Sequence, residues 1–222
     1  MDTARLLIVA AEAREFAGII AQCGPAKPVD WPAAAFAREI SLRGRRAILL
    51  ANGPGPRLVN QALPDSVFQT REKFTEVIST GFCGALDPSL RIGDIVIAGA
   101  VVAISCDILS DDRVAVSAAE KRHLRESTGA RIVEMEYATV AKIARRWDIP
   151  CRAIRVISDT AQEDLPLDFN LYRDKDGRFQ TGRIAAAGLL SPFTVLPRLM
   201  RLGRNTRIAA EKLGAFFANC EF

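Results

Sequence analysis

The chain has 222 residues, 49% apolar and 25% charged, which suits one hydrophobic core with a small appendage and excludes collagen, coiled coil and wholesale disorder. Its net charge of +4 lies wholly in residues 183–222, which hold six basic and two acidic residues. The first 182 residues are therefore neutral, which argues against a nucleic-acid-binding core, since phosphate recognition asks for a basic stripe there. The longest charge-free stretch of the C-terminal third, residues 184–197, contains Pro192 and Pro197 and falls short of the roughly 20 residues of a membrane span. The apolar run 6–11 is too brief for a signal-peptide core, so a cytoplasmic location is expected. Five cysteines without a C-x-x-C pair read as reduced thiols, and a single histidine, His123, leaves a metal site without ligands, so no metal is expected.

In chain order, short β-branched or aliphatic runs at residues 6–11, 47–51, 76–80, 94–103, 131–135 and 152–157 read as buried strands. Between them, residues 14–22, 58–71, 118–126 and 137–147 carry helical spacing. Such alternation predicts an α/β fold, a central mixed sheet flanked by helices, over residues 1–182. Polar or glycine-rich residues follow several strands: Glu12 to Glu15, Asn52-Gly53-Pro54-Gly55, Gly81 to Gly84, Glu136, and Ser158-Asp159. In such a sheet, ligands bind beyond the carboxyl ends of the strands, so these groups are expected to converge on one edge. Residues 162–179 read as an acidic loop, and residues 183–222 as a basic amphipathic helical tail. From residue 194 to 217 leucines and phenylalanines alternate with arginines at three-residue steps, which spreads a cationic face around the helix.

Three stretches taken together are more specific than any one. They are Ala10-Ala11-Glu12-Ala13-Arg14-Glu15-Phe16, Ser79-Thr80-Gly81-Phe82-Cys83-Gly84-Ala85-Leu86 running into Gly93-Asp94, and Val133-Glu134-Met135-Glu136 followed by Arg155-Val156-Ile157-Ser158-Asp159. In order and spacing they resemble the nucleoside phosphorylase and methylthioadenosine/adenosylhomocysteine nucleosidase superfamily. The segment from Asp164 to Arg178 and the arginine- and leucine-rich tail look more narrowly like its hopanoid-associated phosphorylase branch. The resemblance implies an enzyme that breaks the N-ribosidic bond of a purine nucleoside, a small-molecule partner, and no cofactor beyond phosphate as a co-substrate.

The chemistry accounts for the residue types. Cleavage produces an oxocarbenium-like sugar and a purine that leaves more readily when its N7 is protonated, so acidic groups with distinct duties are needed. By resemblance, Asp159 is the acid at N7, with Ser158 beside it, and burial behind the apolar run at residues 153–157 is expected to raise its pKa. Glu136 binds the ribose hydroxyls and Met135 packs on the sugar. Glu15 activates water, Phe82 and Cys83 contribute to the purine site, and Arg14 and Gly53 are the candidate phosphate ligands.

Two departures from the family pattern bear on mechanism. Phe82 stands where phosphorylases place a phosphate-binding serine, and Ser79 where some have an arginine, which favours hydrolysis over phosphorolysis. The stretch between residues 103 and 109 is short where the family inserts a strand and helix that supply subunit contacts and a base-stacking aromatic. That shortening leaves open a homo-oligomer, and leaves open a homologue that binds a nucleoside or lipid without turnover. The tail favours a lipid-linked adenosine such as adenosylhopane over soluble methylthioadenosine, with peripheral membrane contact through its arginines.

Overall fold

The computed structural model describes residues 5–68, 74–99 and 107–220. In chain order the elements are β1 (Arg5–Ala10), a 3-10 turn (Ala13–Phe16), α1 (Ala17–Cys23), β2 (Lys27–Pro28), β3 (Phe36–Leu42), β4 (Arg45–Ala51), α2 (Pro56–Ala62), α3 (Asp65–Phe68), β5 (Phe74–Ala85), β6 (Ile95–Ala98), β7 (Ile108–Ser110), α4 (Ala118–Thr128), β8 (Ile132–Glu134), α5 (Tyr137–Arg146), β9 (Cys151–Asp159), a second 3-10 turn (Phe169–Tyr172), α6 (Thr181–Leu190) and α7 (Val195–Asn219).

The strands form one mixed sheet in the order β2-β3-β4-β1-β5-β8-β7, with β9 on the other side of β5 and β6 beyond it. The strands β4, β1, β5 and β9 run parallel, so their carboxyl ends share one edge. β1 is buried on both faces, and its alternation divides the core. Leu6 and Ile8 join Phe16, Ile19, Leu213 and Phe217 on one side, while Leu7 and Val9 join Val59, Val140, Ile143 and Trp147 on the other.

Several expected boundaries move for identifiable reasons. The strand read at residues 47–51 is one arm of a hairpin with β3, closed by Arg43 and Gly44, both at positive φ as a tight two-residue turn requires. The helix expected over residues 58–71 breaks at Pro64, which has no N–H to donate and turns Leu63 away from helical geometry; residues 69–71 lie outside the described residues. So do residues 100–103 of the strand expected at 94–103, whose described part is β6, and most of the shortened stretch at 103–109. The glycine-rich stretch 81–84, read as a loop after a strand, is itself strand. β9 pairs with β5 from Val77 to Gly84, with a register shift between Cys83 and Gly84, where β5 begins to pair with β8.

The tail is not a separate body along its whole length. α7 packs on α1 so closely that a Cβ on Gly214 would stand 2.2 Å from the Gly18 carbonyl oxygen, and Ala209, Leu213 and Phe217 are fully buried in the core. A boundary at residue 182 therefore cuts through side chains that share one cluster. The physical reason is that leucine and phenylalanine recur on one face of the second half of α7, opposite Glu211 and Lys212. Among the described residues, no helix is long and apolar enough to cross a membrane.

Candidate active site

Where the carboxyl ends of β1 and β9 meet residues 82–84 of β5 and the end of the antiparallel strand β8 lies a cavity of about 600 Å³, within the range of about 300–1,000 Å³ usual for small-molecule sites. One end is acidic and the other apolar. Glu15, Phe82, Cys83, Met135, Glu136, Ser158, Asp159 and Arg14 all line it. Gly53 does not: Pro54 takes its place in the wall, and the Gly53 N–H donates to the Ala11 carbonyl at 2.7 Å.

Glu15 sits on the 3-10 turn after β1 and is buried. Its two oxygens accept the backbone N–H groups of Glu12 and Phe82, each at 2.7 Å. Burial raises its pKa, and those two hydrogen bonds oppose the rise. Gly81 makes the approach possible: it holds φ +126°, and a Cβ there would stand 2.4 Å from a Glu15 oxygen.

Glu136 follows β8 and opens α5. One of its oxygens accepts the Gly55 N–H at 3.0 Å, and the other lies 3.5 Å from the Arg155 guanidinium. Burial pushes its pKa up to about 8, with Arg155 opposing and Glu134 and Glu15 adding to the rise. Glu134, the other carboxylate of the motif, accepts the N–H groups of Glu136 and Tyr137 at 3.0 and 2.9 Å and bonds Ser110 and Arg155. It caps α5 and fixes where Glu136 points. Arg155, fully buried, also donates to the Thr80 carbonyl and the Ser79 hydroxyl, both at 2.7 Å, so it ties β9 to β5 beneath both glutamates. Ser79, where an arginine was sought, holds this guanidinium.

Asp159 ends β9. Its Oδ1 accepts from the Ser158 hydroxyl at 2.9 Å. The apolar surroundings expected there are interrupted by Lys121 of α4, whose ammonium meets Oδ2 at 2.5 Å. Lys121 is itself fully buried and donates also to the carbonyls of Thr160 and Glu163 at 2.8 and 3.2 Å. Gly84 lies opposite, where a Cβ would stand 3.0 Å from Oδ2. Cys83 packs its buried thiol against the Val156 carbonyl, and burial drives its pKa well above the usual thiol range. Met135 is half-buried in the wall.

Arg14 is exposed and paired with Glu12 at 2.5 Å. The two candidate phosphate ligands are thus both engaged elsewhere. The sequence reading missed Lys121, whose only signal was a basic residue within a polar helix, and the bracing roles of Glu134 and Arg155. It also missed that residues 165–206 build the apolar half of the cavity. Phe169 and Phe179 stand there edge to face at 6.2 Å, aromatic groups supplied from beyond β9. Ile184 and Leu189 of α6 face Leu196, Leu199 and Leu202 of α7 across it.

The family model described as the phosphorylase superfamily matches residues 4–113 and 105–193. Among curated proteins, a 5'-methylthioadenosine/S-adenosylhomocysteine nucleosidase of Anoxybacillus flavithermus is 28% identical over 181 aligned positions, covering 61% of this chain and 77% of that protein. A nucleosidase of the same name from Mycobacterium tuberculosis is 26% identical over 223 positions, covering 71% and 84%. Among solved structures, the Helicobacter pylori nucleosidase of that name, in complex with a substituted pyrrolidin-3-ol, superposes with a TM-score of 0.67 at 17% identity, covering 97% of both chains. Futalosine hydrolase of the same organism gives 0.63 at 17% identity, covering 96% of this chain and 95% of that one. These structures share the mixed sheet and flanking helices described above. By the match of its sequence along most of its length, the chain belongs to the phosphorylase superfamily.

Proposed function

We propose that this protein hydrolyses the N-ribosidic bond of an adenine nucleoside whose 5′ carbon bears a large apolar substituent, adenosylhopane being one such lipid-linked molecule. The observation that carries this reading is the two-ended cavity, with the carboxylates of Glu15, Glu136 and Asp159 at the sheet edge and an aliphatic chamber between α6 and α7. In this reading Asp159, held between Ser158 and Lys121, serves N7 of the base, and Phe82 and Cys83 border the purine. Glu136 accepts from the ribose hydroxyls and Met135 packs on the sugar. Glu15 takes a proton from water as its oxygen attacks C1′; the electrons of the C1′–N9 bond leave with the base, and a proton from solvent, relayed through the Asp159 carboxylate, reaches N7.

Water is favoured over phosphate because the backbone donors at this end are already engaged and Arg14, the exposed cation beside them, is paired with a carboxylate. The Gly53 N–H goes to Ala11, the Gly55 N–H to Glu136, the Phe82 N–H to Glu15, and Arg14 to Glu12. The curated relatives that carry the name nucleosidase agree with hydrolysis. A methylthioadenosine nucleosidase is the second reading, since the same acidic end accepts a nucleoside with a small 5′ group, but it leaves the aliphatic chamber without a use.

The test is adenine release by the purified protein from methylthioadenosine and from adenosylhopane, with and without phosphate. The reading expects release without phosphate and a higher kcat/KM for the lipid-linked substrate. Release that requires phosphate overturns hydrolysis, equal kcat/KM overturns the substrate class, and ligand-induced stabilisation without adenine release overturns catalysis.

A further inference from the structure

Among the described residues, most of the exposed large apolar side chains gather where α6 gives way to α7. Leu190 and Phe193 are 85% and 93% exposed, and Leu189 and Met200 beside them are 71% and 68% exposed. From Arg183 to Arg207 the sequence holds five arginines and no acidic residue. Three of these arginines have local partners. Arg198 donates to the carbonyls of Asp164 and Leu165, Arg201 lies 3.4 Å from Glu163, and Arg183 stacks over Tyr172. Arg207 meets Glu211 only at 3.8 Å, and Arg204 faces outward beside it. On α7, Leu196, Leu199 and Gly203 turn toward the cavity, while Arg201, Arg204 and Arg207 fall on the outer side, with Met200 between. Leu189 and Met200 both line the cavity and reach the surface, so its aliphatic end opens at this apolar tip.

We infer that the α6–α7 hairpin docks on a membrane leaflet containing anionic phospholipid, with Leu190 and Phe193 inserted among the acyl chains and Arg204 and Arg207 at the headgroups. The opening between Leu189 and Met200 then faces the leaflet, so an apolar 5′ substituent enters the cavity without crossing water. Charge selects this occupant over a second copy of the chain, because a copy seated here would set the same arginines against one another, whereas anionic headgroups neutralise them. The entry route rests on the proposed apolar 5′ substituent; the docking itself does not.

The experiment is co-sedimentation of the full chain with phosphatidylcholine vesicles, with and without phosphatidylglycerol, at low and high salt and without nucleoside. Methylthioadenosine cleavage, thermal unfolding and oligomeric state are followed in parallel. The intact chain is expected to pellet with the anionic vesicles and to release as salt rises. Leu190→Glu with Phe193→Glu weakens that binding by about a hundredfold, because each buried side chain of this size is worth about tenfold or more. Arg204→Gln with Arg207→Gln weakens it by about thirtyfold, at about fivefold per arginine, on anionic vesicles alone. Both double variants keep the parental rate on methylthioadenosine. The inference is overturned if the intact chain does not pellet with anionic vesicles or if the variants pellet equally well. A dimer that Leu190→Glu with Phe193→Glu converts to monomer, with vesicle binding unchanged, assigns the patch to a second copy and also overturns it. Failure of the hydrolytic reading shows separately, as absent adenine release from soluble nucleoside.

Discussion

Replacing Lys121 with methionine keeps most of the length of the side chain and removes the ammonium that pairs with Asp159 at 2.5 Å and bonds the carbonyls of Thr160 and Glu163. Taking one partner from a buried ion pair costs about 3–5 kcal/mol, because the other charge is left without compensation. The Asp159 side chain keeps 13% of its exposure, so water offsets part of the loss and the low end applies, about 3 kcal/mol. In a chain of this size that lowers Tm by about 6–12 °C. Asp159 also loses the contact that fixes one of its oxygens, so kcat for adenine release is expected to fall at least tenfold or so, with KM changing less. Thermal unfolding and steady-state kinetics on Lys121→Met, Asp159→Asn and the double variant supply a double-mutant cycle. A coupling of about 2 kcal/mol is expected for groups in such contact. Unchanged Tm together with a coupling near zero refutes the pairing as an energetic element, and parental kcat in Lys121→Met refutes its role in holding the acid.

Asp159→Asn is expected to lower adenine release by about 10²–10⁴-fold and also to lower Tm, because Lys121 is left with neutral oxygens alone; near-parental turnover per folded molecule removes Asp159 from the chemistry. Glu15→Gln retains one acceptor for the surrounding N–H groups and loses the base, so release falls by a similar factor of about 10²–10⁴ while nucleoside still binds; loss of binding with unchanged kcat points instead to a positioning role. For Glu136 the folded chain holds a proton up to about pH 8 that the unfolded chain gives up near 4.5. Its contribution to stability is therefore fully present at low pH and lost as pH rises across that window. Glu136→Gln should flatten this decline, its Tm gaining on the parent as pH approaches 8; a difference in Tm that does not vary with pH contradicts the shift. Phe217→Ala, in the clamped half of α7, should cost about 3–5 kcal/mol and truncation before Thr194 should prevent folding, as thermal unfolding or loss of soluble protein reports; a stable truncated protein contradicts the packing of α7 on α1.

The acidic end of the cavity was legible because its residues lie within a few positions of strand ends. Glu15, Glu136 and Asp159 follow β-branched runs that announce themselves by composition; parallel strands bring Glu15 and Asp159 to one edge, whereas Glu136 arrives there on β8, which runs antiparallel to β5. Gly53 was misplaced because a glycine in sequence tells only that the backbone can adopt positive φ, not which carbonyl its N–H will find. Lys121 was invisible for a related reason: a lysine in a helix with polar neighbours looks solvated until the chain beyond β9 folds over it. The aliphatic chamber depends on contacts between residues far apart in sequence, Phe169 and Phe179 with α6 and α7, which no local period encodes. The same limit concealed the division of α7, whose arginines signalled a surface helix along a length of which the second half is core.

Helix α7 is held unevenly, and its length turns that into leverage. Toward its C-terminus Gly214 rests on the backbone of α1 at Gly18, while Leu213 and Phe217 are fully enclosed. Toward its N-terminus it is steadied by Gly188 against Leu196 and Leu199 and by Arg198 on two carbonyls. It is built as a cantilever, with its root in the core and its more lightly held arm forming one wall of the cavity. Over the arm of about 20 Å from Val195 to Ile208, a rotation of about 5° at the root moves the tip by about 2 Å. That displacement compares with the width of a methylene chain, so a small rotation at the root changes the width of the cavity's apolar end while the carboxylates at the sheet edge keep their spacing.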